Sequence, residues 1–143
     1  MRRSELDLDR IRGAVEAAER LTSAEIVVSI APFFLGRVWK AARRAFGRLG
    51  IATTRGRNGV LVFVVPSRRQ VVILADDAAL TRIDPSVWSD VAGRIAIAFA
   101  RGHGTRGITD GVTRLGAVLA APFPRGPGDA AGELPDEPHV GRP

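Results

Sequence analysis

Hydrophobic positions recur at two different spacings along this chain, and the changes between them mark its helices and strands. Steps of three and four residues are typical of one apolar helix face. They cover residues 6–21, 36–49, 85–100 and 108–119. Short runs rich in valine and isoleucine, which are too short for stable helices, cover residues 25–31, 60–65 and 70–75. The pattern therefore predicts an α/β domain with three strands.

The order of these elements predicts the directions of the strands. A helix separates the first two strands, so the simplest arrangement is a parallel pair with a right-handed crossover. Residues 66–69 alone join the second strand to the third, which predicts an antiparallel hairpin. The starts of the first two strands and the end of the third then share one edge of the sheet. The polar residues expected there are Glu25, Asn58, Asp76 and Asp77, with Arg55 and Arg57 beside them.

The carboxylates and the amide at this edge are candidate ligands for a hard cation. Ca²⁺ and Mg²⁺ prefer several oxygen ligands. The candidate metal-binding residues are Glu25, Asn58, Asp76, Asp77 and Asp84. A structural role is the alternative: Asp76 and Asp77 could cap the turn after the third strand, while Glu25 is either solvated or paired with Arg55 or Arg57. No spacing motif such as an EF-hand loop decides between the two.

The net charge of +6 is concentrated in one part of the chain, and this clustering makes that part a candidate binding surface. Nine basic residues and no acid lie between Glu25 and Asp76, and several of them share the outer face of the second helix. The candidate residues for binding a partner or an anion are Arg37, Lys40, Arg44, Arg48, Arg55 and Arg57. They could meet an acidic protein or an anionic membrane surface, or form a merely solvated face.

Composition excludes several classes of function. The absence of cysteine rules out disulfides, zinc–thiolate sites and thiol nucleophiles. The absence of tyrosine and the placement of most Phe and Trp residues, Trp39 among them, on predicted inner faces disfavour nucleic acid as a partner. No GxSxG, Walker A or HExxH pattern occurs, and no general acid–base pair is evident, so the sequence leaves enzymatic activity open.

Length and the distribution of proline predict the domain organisation. Residues 1–123 form one α/β domain, and residues 124–143, which contain five of the nine prolines, form an acidic tail that we expect to be disordered. Acidic residues in the first helix argue against a secretory signal, and no apolar run is long enough to span a bilayer. These features predict a soluble, cytoplasmic protein, with peripheral contact to a membrane left open. Its oligomeric state is not predicted.

Several segments, in this order, resemble the TPM domain family, which includes a thylakoid lumen acid phosphatase and proteins linked to photosystem II repair. The resemblance extends over roughly residues 5 to 120, and the Asn58-Gly59 junction is its most telling feature. The similar segments are residues 22–28 (TSAEIVV), Ala45-Phe46, Leu49-Gly50, 57–63 (RNGVLVF), 69–76 (RQVVILAD) and 108–119.

The resemblance implies a three-layer α/β/α sandwich around a small mixed sheet, with a parallel crossover and an antiparallel hairpin. In some members it also implies divalent metal binding and weak phosphatase activity. Many members carry an export signal and a membrane anchor; neither pattern occurs here, so we expect a short, soluble, bacterial-type member. The expected function is a non-catalytic binding or adaptor module that uses the basic helix face. The alternative is a weak phosphatase dependent on Ca²⁺ or Mg²⁺.

Overall fold

The computed structural model describes residues 6–126 and 136–140 of the 143-residue chain. The helices of these residues are α1 (Leu8–Glu19), α2 (Val38–Arg48), α3 (Asp77–Arg82), α4 (Pro85–Ala100) and α5 (Gly104–Ala120). The strands are β1 (Ile26–Ile30), β2 (Val60–Val65), β3 (Gln70–Ala75) and β4 (His139–Val140). Each predicted helix and strand is present, and the short turn after β3 is a helix, α3.

The strands form one mixed sheet in the order β3-β2-β1-β4. β1 and β2 are parallel, with Ile26 opposite Val60, and β2 and β3 are antiparallel, with Val60 opposite Ala75. The predicted crossover and hairpin are therefore both confirmed. This register places the beginnings of β1 and β2 and the end of β3 at the same edge.

Helices cover both faces of the sheet, which confirms the three-layer α/β/α architecture. Successive strand residues point to opposite faces, so β2 contributes to two separate cores. Leu61 and Phe63 pack under α2 with Ala41 and Ala45. The alternate residues of β2 face α1, α4 and α5, and they are Val60, Val62 and Val64.

Part of the chain beyond residue 123 differs from the predicted disordered tail, because residues 136–140 lie along β1. There His139 and Val140 pair in parallel with Ser29 and Ile30, and His139 Nδ1 lies 3.3 Å from Ser29 Oγ. Burial, followed by the positive charge of Arg48, lowers the pKa of His139. The physical reason for this pairing is that β1 would otherwise present an unpaired strand edge. The rest of the predicted tail, residues 127–135 and 141–143, lies outside the described residues.

Within residues 6–126 and 136–140, no helix is both long enough and apolar enough to cross a bilayer.

Candidate functional site

Two regions carry the candidate residues, and the first is the sheet edge where β1 and β2 begin and β3 ends. Val60 N donates to the carbonyl of Glu25 (2.8 Å), and Asp76 N donates to the carbonyl of Gly59 (2.9 Å). These bonds bring together Glu25, Asn58 and Asp76, whose side chains are all buried. We call this region the acidic edge and include in it Glu25, Asn58, Asp76, Asp77 and Arg57.

Gly59 allows the start of β2 to pack closely against Ile51 at the acidic edge. A Cβ atom at this position would lie 2.5 Å from Ile51 Cγ2 and 2.8 Å from the carbonyl oxygen of Ile51. A side chain here would therefore displace both the core and the backbone beneath it. The preceding residue, Asn58, lies against Gly56 in the same close-packed turn.

Arg57 supplies the positive charge at the acidic edge. Its Nε donates to Asp76 Oδ2 (2.8 Å) and its Nη2 to Asp76 Oδ1 (3.2 Å), while Asp77 Oδ2 lies 3.5 Å from Nη2. Asp76 Oδ1 also accepts from Asp77 N (2.8 Å), so Asp76 caps α3. The hydrogen bonds from Arg57 are the main cause of a lowered pKa at Asp76. Asp76 is therefore an ionised carboxylate with bound donors on both oxygens.

The remaining predicted metal ligands do not complete a cation site. Asp84 caps α4 by accepting from Ser86 N (2.9 Å), and this hydrogen bond is the main cause of its lowered pKa. Asp77 is exposed to solvent on the outer side of the edge. Within residues 6–126 and 136–140, no three Asp, Glu or His side chains are arranged to hold a metal ion. The residues as arranged therefore fit a guanidinium–carboxylate pair better than a metal.

Two further carboxylates close to Glu25 were missed by the sequence analysis. Glu19 is buried, and its Oε2 accepts from Ile26 N (2.9 Å). Burial, together with hydrogen bonds shared with Asp136 and Glu25, raises the pKa of Glu19 to about 10. Glu19 lies four residues after Val15 and therefore on the apolar stripe of α1, and this position was the sequence signal that its side chain would be buried. Asp136 gave no signal, because it belongs to the expected disordered tail.

The second region is the outer face of α2 together with its N-cap residue, which we call the basic face and define by Arg37, Lys40, Arg43, Arg44 and Arg48. All five side chains are exposed, while the inner residues of the helix are buried. The side chains of Arg37, Lys40, Arg43 and Arg44 form no salt bridge with any acid in the part of the chain that the structure describes. Arg55, another predicted anion-binding residue, is exposed in the loop before β2.

Exposed apolar side chains lie beside the basic face. Phe33 is 71% exposed, Leu35 86% and Trp39 54%; we call these three residues the apolar tip. The prediction that Trp39 faces inward was wrong. Small residues such as Ala41 and Ala42 fill the inner stripe of α2, and Trp39 lies on the flank of the helix.

The loop between β1 and α2, which carries Phe33 and Leu35, is held in place by Arg68 at the turn between β2 and β3. Its Nη1 donates to the carbonyl oxygen of Gly36 (2.6 Å), and its guanidinium carbon lies 5.5 Å from the centre of the Phe34 ring. Phe34 itself is half-buried against the α2 core. The loop therefore turns Phe34 inward and presents its neighbours, Phe33 and Leu35, to solvent.

Comparisons with known proteins agree with this architecture. The family model for the TPM domain matches residues 4–118. The solution structure of BA42 from the psychrophilic bacterium Bizionia argentinensis is similar over 96% of both chains, with 28% identity and a TM-score of 0.86. The N-terminal domain of cg2496 from Corynebacterium glutamicum shows a likeness in fold at 13% identity, over 92% of this chain and 84% of that one, with a TM-score of 0.65. The search of curated proteins found no match.

Proposed function

This chain belongs to the TPM domain family, and we propose that it is a non-catalytic binding module whose basic face contacts a negatively charged partner. The observation that carries the proposal is the set of exposed cations on α2, four of which have no salt bridge to a described acid. Charges of one sign that are not neutralised within a protein create a field that attracts an oppositely charged partner.

The local sequence strengthens this field. No acid lies between Glu25 and Asp76, so neither the loop before α2 nor the β2–β3 turn contributes a negative charge beside the helix. Lys40 lies one turn of α2 before Arg43 and Arg44, so the positive charges of the three residues repel one another. Repulsion between like charges on one helix face costs stability, and binding an anionic surface would offset that cost.

The experiment compares two triple charge reversals that change the net charge equally. One is Lys40→Glu/Arg43→Glu/Arg44→Glu on the basic face. The matched control is Arg10→Glu/Arg20→Glu/Arg114→Glu, which reverses three exposed arginines on α1, at the C-terminal end of α1 and on α5. Immobilised heparin serves as the polyanionic probe, and the salt concentration that elutes each protein is measured.

We expect the basic-face variant to elute at much lower salt than the control, because local charge and not net charge governs contact with a polyanion. Equal losses in the two variants would overturn the proposal, since heparin would then respond only to net charge. Circular dichroism of both variants verifies that they are folded.

The grouping of Glu25, Asn58 and Asp76 favours a second candidate, a weak phosphatase that uses Ca²⁺ or Mg²⁺. A bound cation would neutralise phosphate charge and activate water, but it would first have to displace Arg57 from Asp76. Calorimetry with each cation, on the protein and on Asp76→Ala, tests this candidate. Heat that disappears in the variant supports it, and no heat in either protein removes it.

A further inference from the structure

We propose that the partner of the basic face is an anionic lipid bilayer, and that Phe33, Leu35 and Trp39 enter its interfacial region. This inference rests on the proposed function, because the cations would bring the protein to the surface that the apolar tip then enters. It adds the chemical nature of the partner, which charge alone does not specify.

The apolar tip is exposed to solvent. Phe33 and Leu35 extend into solvent from the loop after β1, and Trp39 adds an indole ring from the first turn of α2. Apolar side chains in water cost free energy that burial in a membrane interface recovers. Tryptophan is enriched at this depth because its ring is apolar while its N–H remains hydrated.

Cations flank the apolar tip in the sequence and at the turn that contacts its loop. Arg37 lies between Leu35 and Trp39 in the chain, Lys40 follows, and Arg68 lies against the same loop. Long basic side chains can lay their methylene groups on an apolar surface while their charges reach the phosphate level. Apolar residues flanked by lysine and arginine are the pattern of an interfacial membrane anchor.

The absence of acidic residues from the segments around the tip favours a bilayer over an acidic protein. The segments that meet at the tip, residues 32–37, α2 and the turn at 66–69, contain no acid, so the apolar side chains have only cations for charged neighbours in sequence. A bilayer rich in anionic lipid offers negative charge and an apolar layer a few ångströms apart over a continuous surface. The proposed contact is peripheral, because only three side chains of a folded domain enter the interface.

The experiment uses Trp39 as its own reporter. Trp39 and Trp88 are the two tryptophans of the chain, so Trp88→Phe leaves Trp39 as the sole emitter. Vesicles of phosphatidylcholine alone are compared with vesicles containing about 30% phosphatidylserine. We expect a blue shift and quenching by lipids brominated in the upper acyl chain, only with the anionic vesicles.

A pair of double variants separates the contribution of apolar side chains to vesicle binding from that of charge. Phe33→Ser/Leu35→Ser keeps every cation, and the matched control Leu21→Ser/Leu80→Ser removes two leucines that are 53% and 52% exposed elsewhere. We expect the tip variant to lose about tenfold in vesicle partitioning and to keep its heparin retention, while the control keeps both.

The outcomes distinguish failure of this inference from failure of the proposed function. In one outcome, heparin retention depends on the basic face while the protein fails to bind vesicles or the emission of Trp39 does not shift. That result would overturn the proposal of a bilayer partner and would point to an acidic protein. Vesicle binding that is equal in the tip variant and in the control would overturn insertion. Heparin retention that is independent of the basic face would overturn the proposed function itself.

Discussion

The acidic edge and the basic face both concentrate charge, but they deal with it in opposite ways. At the acidic edge, Asp76 is buried and held by Arg57, and next to Glu25 of this edge burial raises the pKa of Glu19. On the basic face, Lys40, Arg43 and Arg44 face solvent and have no acidic partner among the described residues. The comparison teaches that a cluster of charges in the sequence leaves charge available to a partner only where the structure does not already neutralise it.

The largest difference in stability should come from a glycine-to-alanine substitution made once beneath the acidic edge and once on α2. Gly59→Ala should lower the free energy of unfolding by about 3 kcal/mol, because its Cβ would meet the side chain and carbonyl of Ile51. Gly47→Ala on α2 has open space and should raise it by roughly 0.5–1 kcal/mol through helix propensity. Urea unfolding measures both. A stable Gly59→Ala protein would show that the turn beneath the acidic edge can relax.

A smaller effect is expected at the two neighbouring aspartates of the acidic edge. Asp76→Ala should cost about 2 kcal/mol, because it removes the cap of α3 and the partner of Arg57. Asp77→Ala, at a side chain that is 83% exposed, should change stability by less than about 0.5 kcal/mol. Thermal or urea unfolding at neutral pH checks this, and equal costs would contradict the assigned roles.

The loss of stability caused by Asp76→Ala should also depend on pH. Its folded-state pKa lies below the ordinary value of 3.8, so the folded protein binds fewer protons at this group than the unfolded chain does. The stabilisation is therefore complete above the unfolded pKa and is lost as the pH falls through the folded one. The difference between the wild type and Asp76→Ala should shrink below about pH 4. A difference that does not change with pH would argue against an ionised Asp76.

The buried carboxylate at Glu19 should behave in the opposite sense. Its raised pKa means that the folded state keeps a proton that the unfolded chain has lost, so stability falls as the pH rises from 4.5 towards about 10. Glu19→Gln can still accept from Ile26 N and can donate to Asp136. We expect it to raise stability by about 1 kcal/mol at pH 8 and to flatten this dependence. Destabilisation at pH 8 together with an unchanged slope would show that Glu19 is ionised.

The smallest effect on folding is expected on the basic face. Lys40→Glu/Arg44→Glu should change the free energy of unfolding by less than about 0.5 kcal/mol, because both side chains are exposed. Urea unfolding at low and high salt measures the change. A loss of 2 kcal/mol or more would mean that these cations stabilise the fold, and the contrast with the acidic edge would disappear.

The fold was largely predictable because it depends on patterns that are local in the chain. Apolar spacing distinguished the helices from β1, β2 and β3, and the four residues between Val65 and Gln70 required a hairpin. The strand directions then placed Glu25, Asn58 and Asp76 at one edge, as observed. β4 was not predicted, because a two-residue strand near the end of a proline-rich segment has no periodicity of its own.

The sequence by itself determined the domain, the strand order of its hairpin and crossover, and the concentration of cations on one helix. The tertiary structure alone decided which charges have partners. Arg57 reaches Asp76 across a separation of 19 residues, and Glu19 meets Asp136 only because β4 lies beside β1. Trp39 is exposed because alanines fill the seam between α2 and the sheet. These are contacts through space, and a spacing pattern describes only the face on which a residue lies.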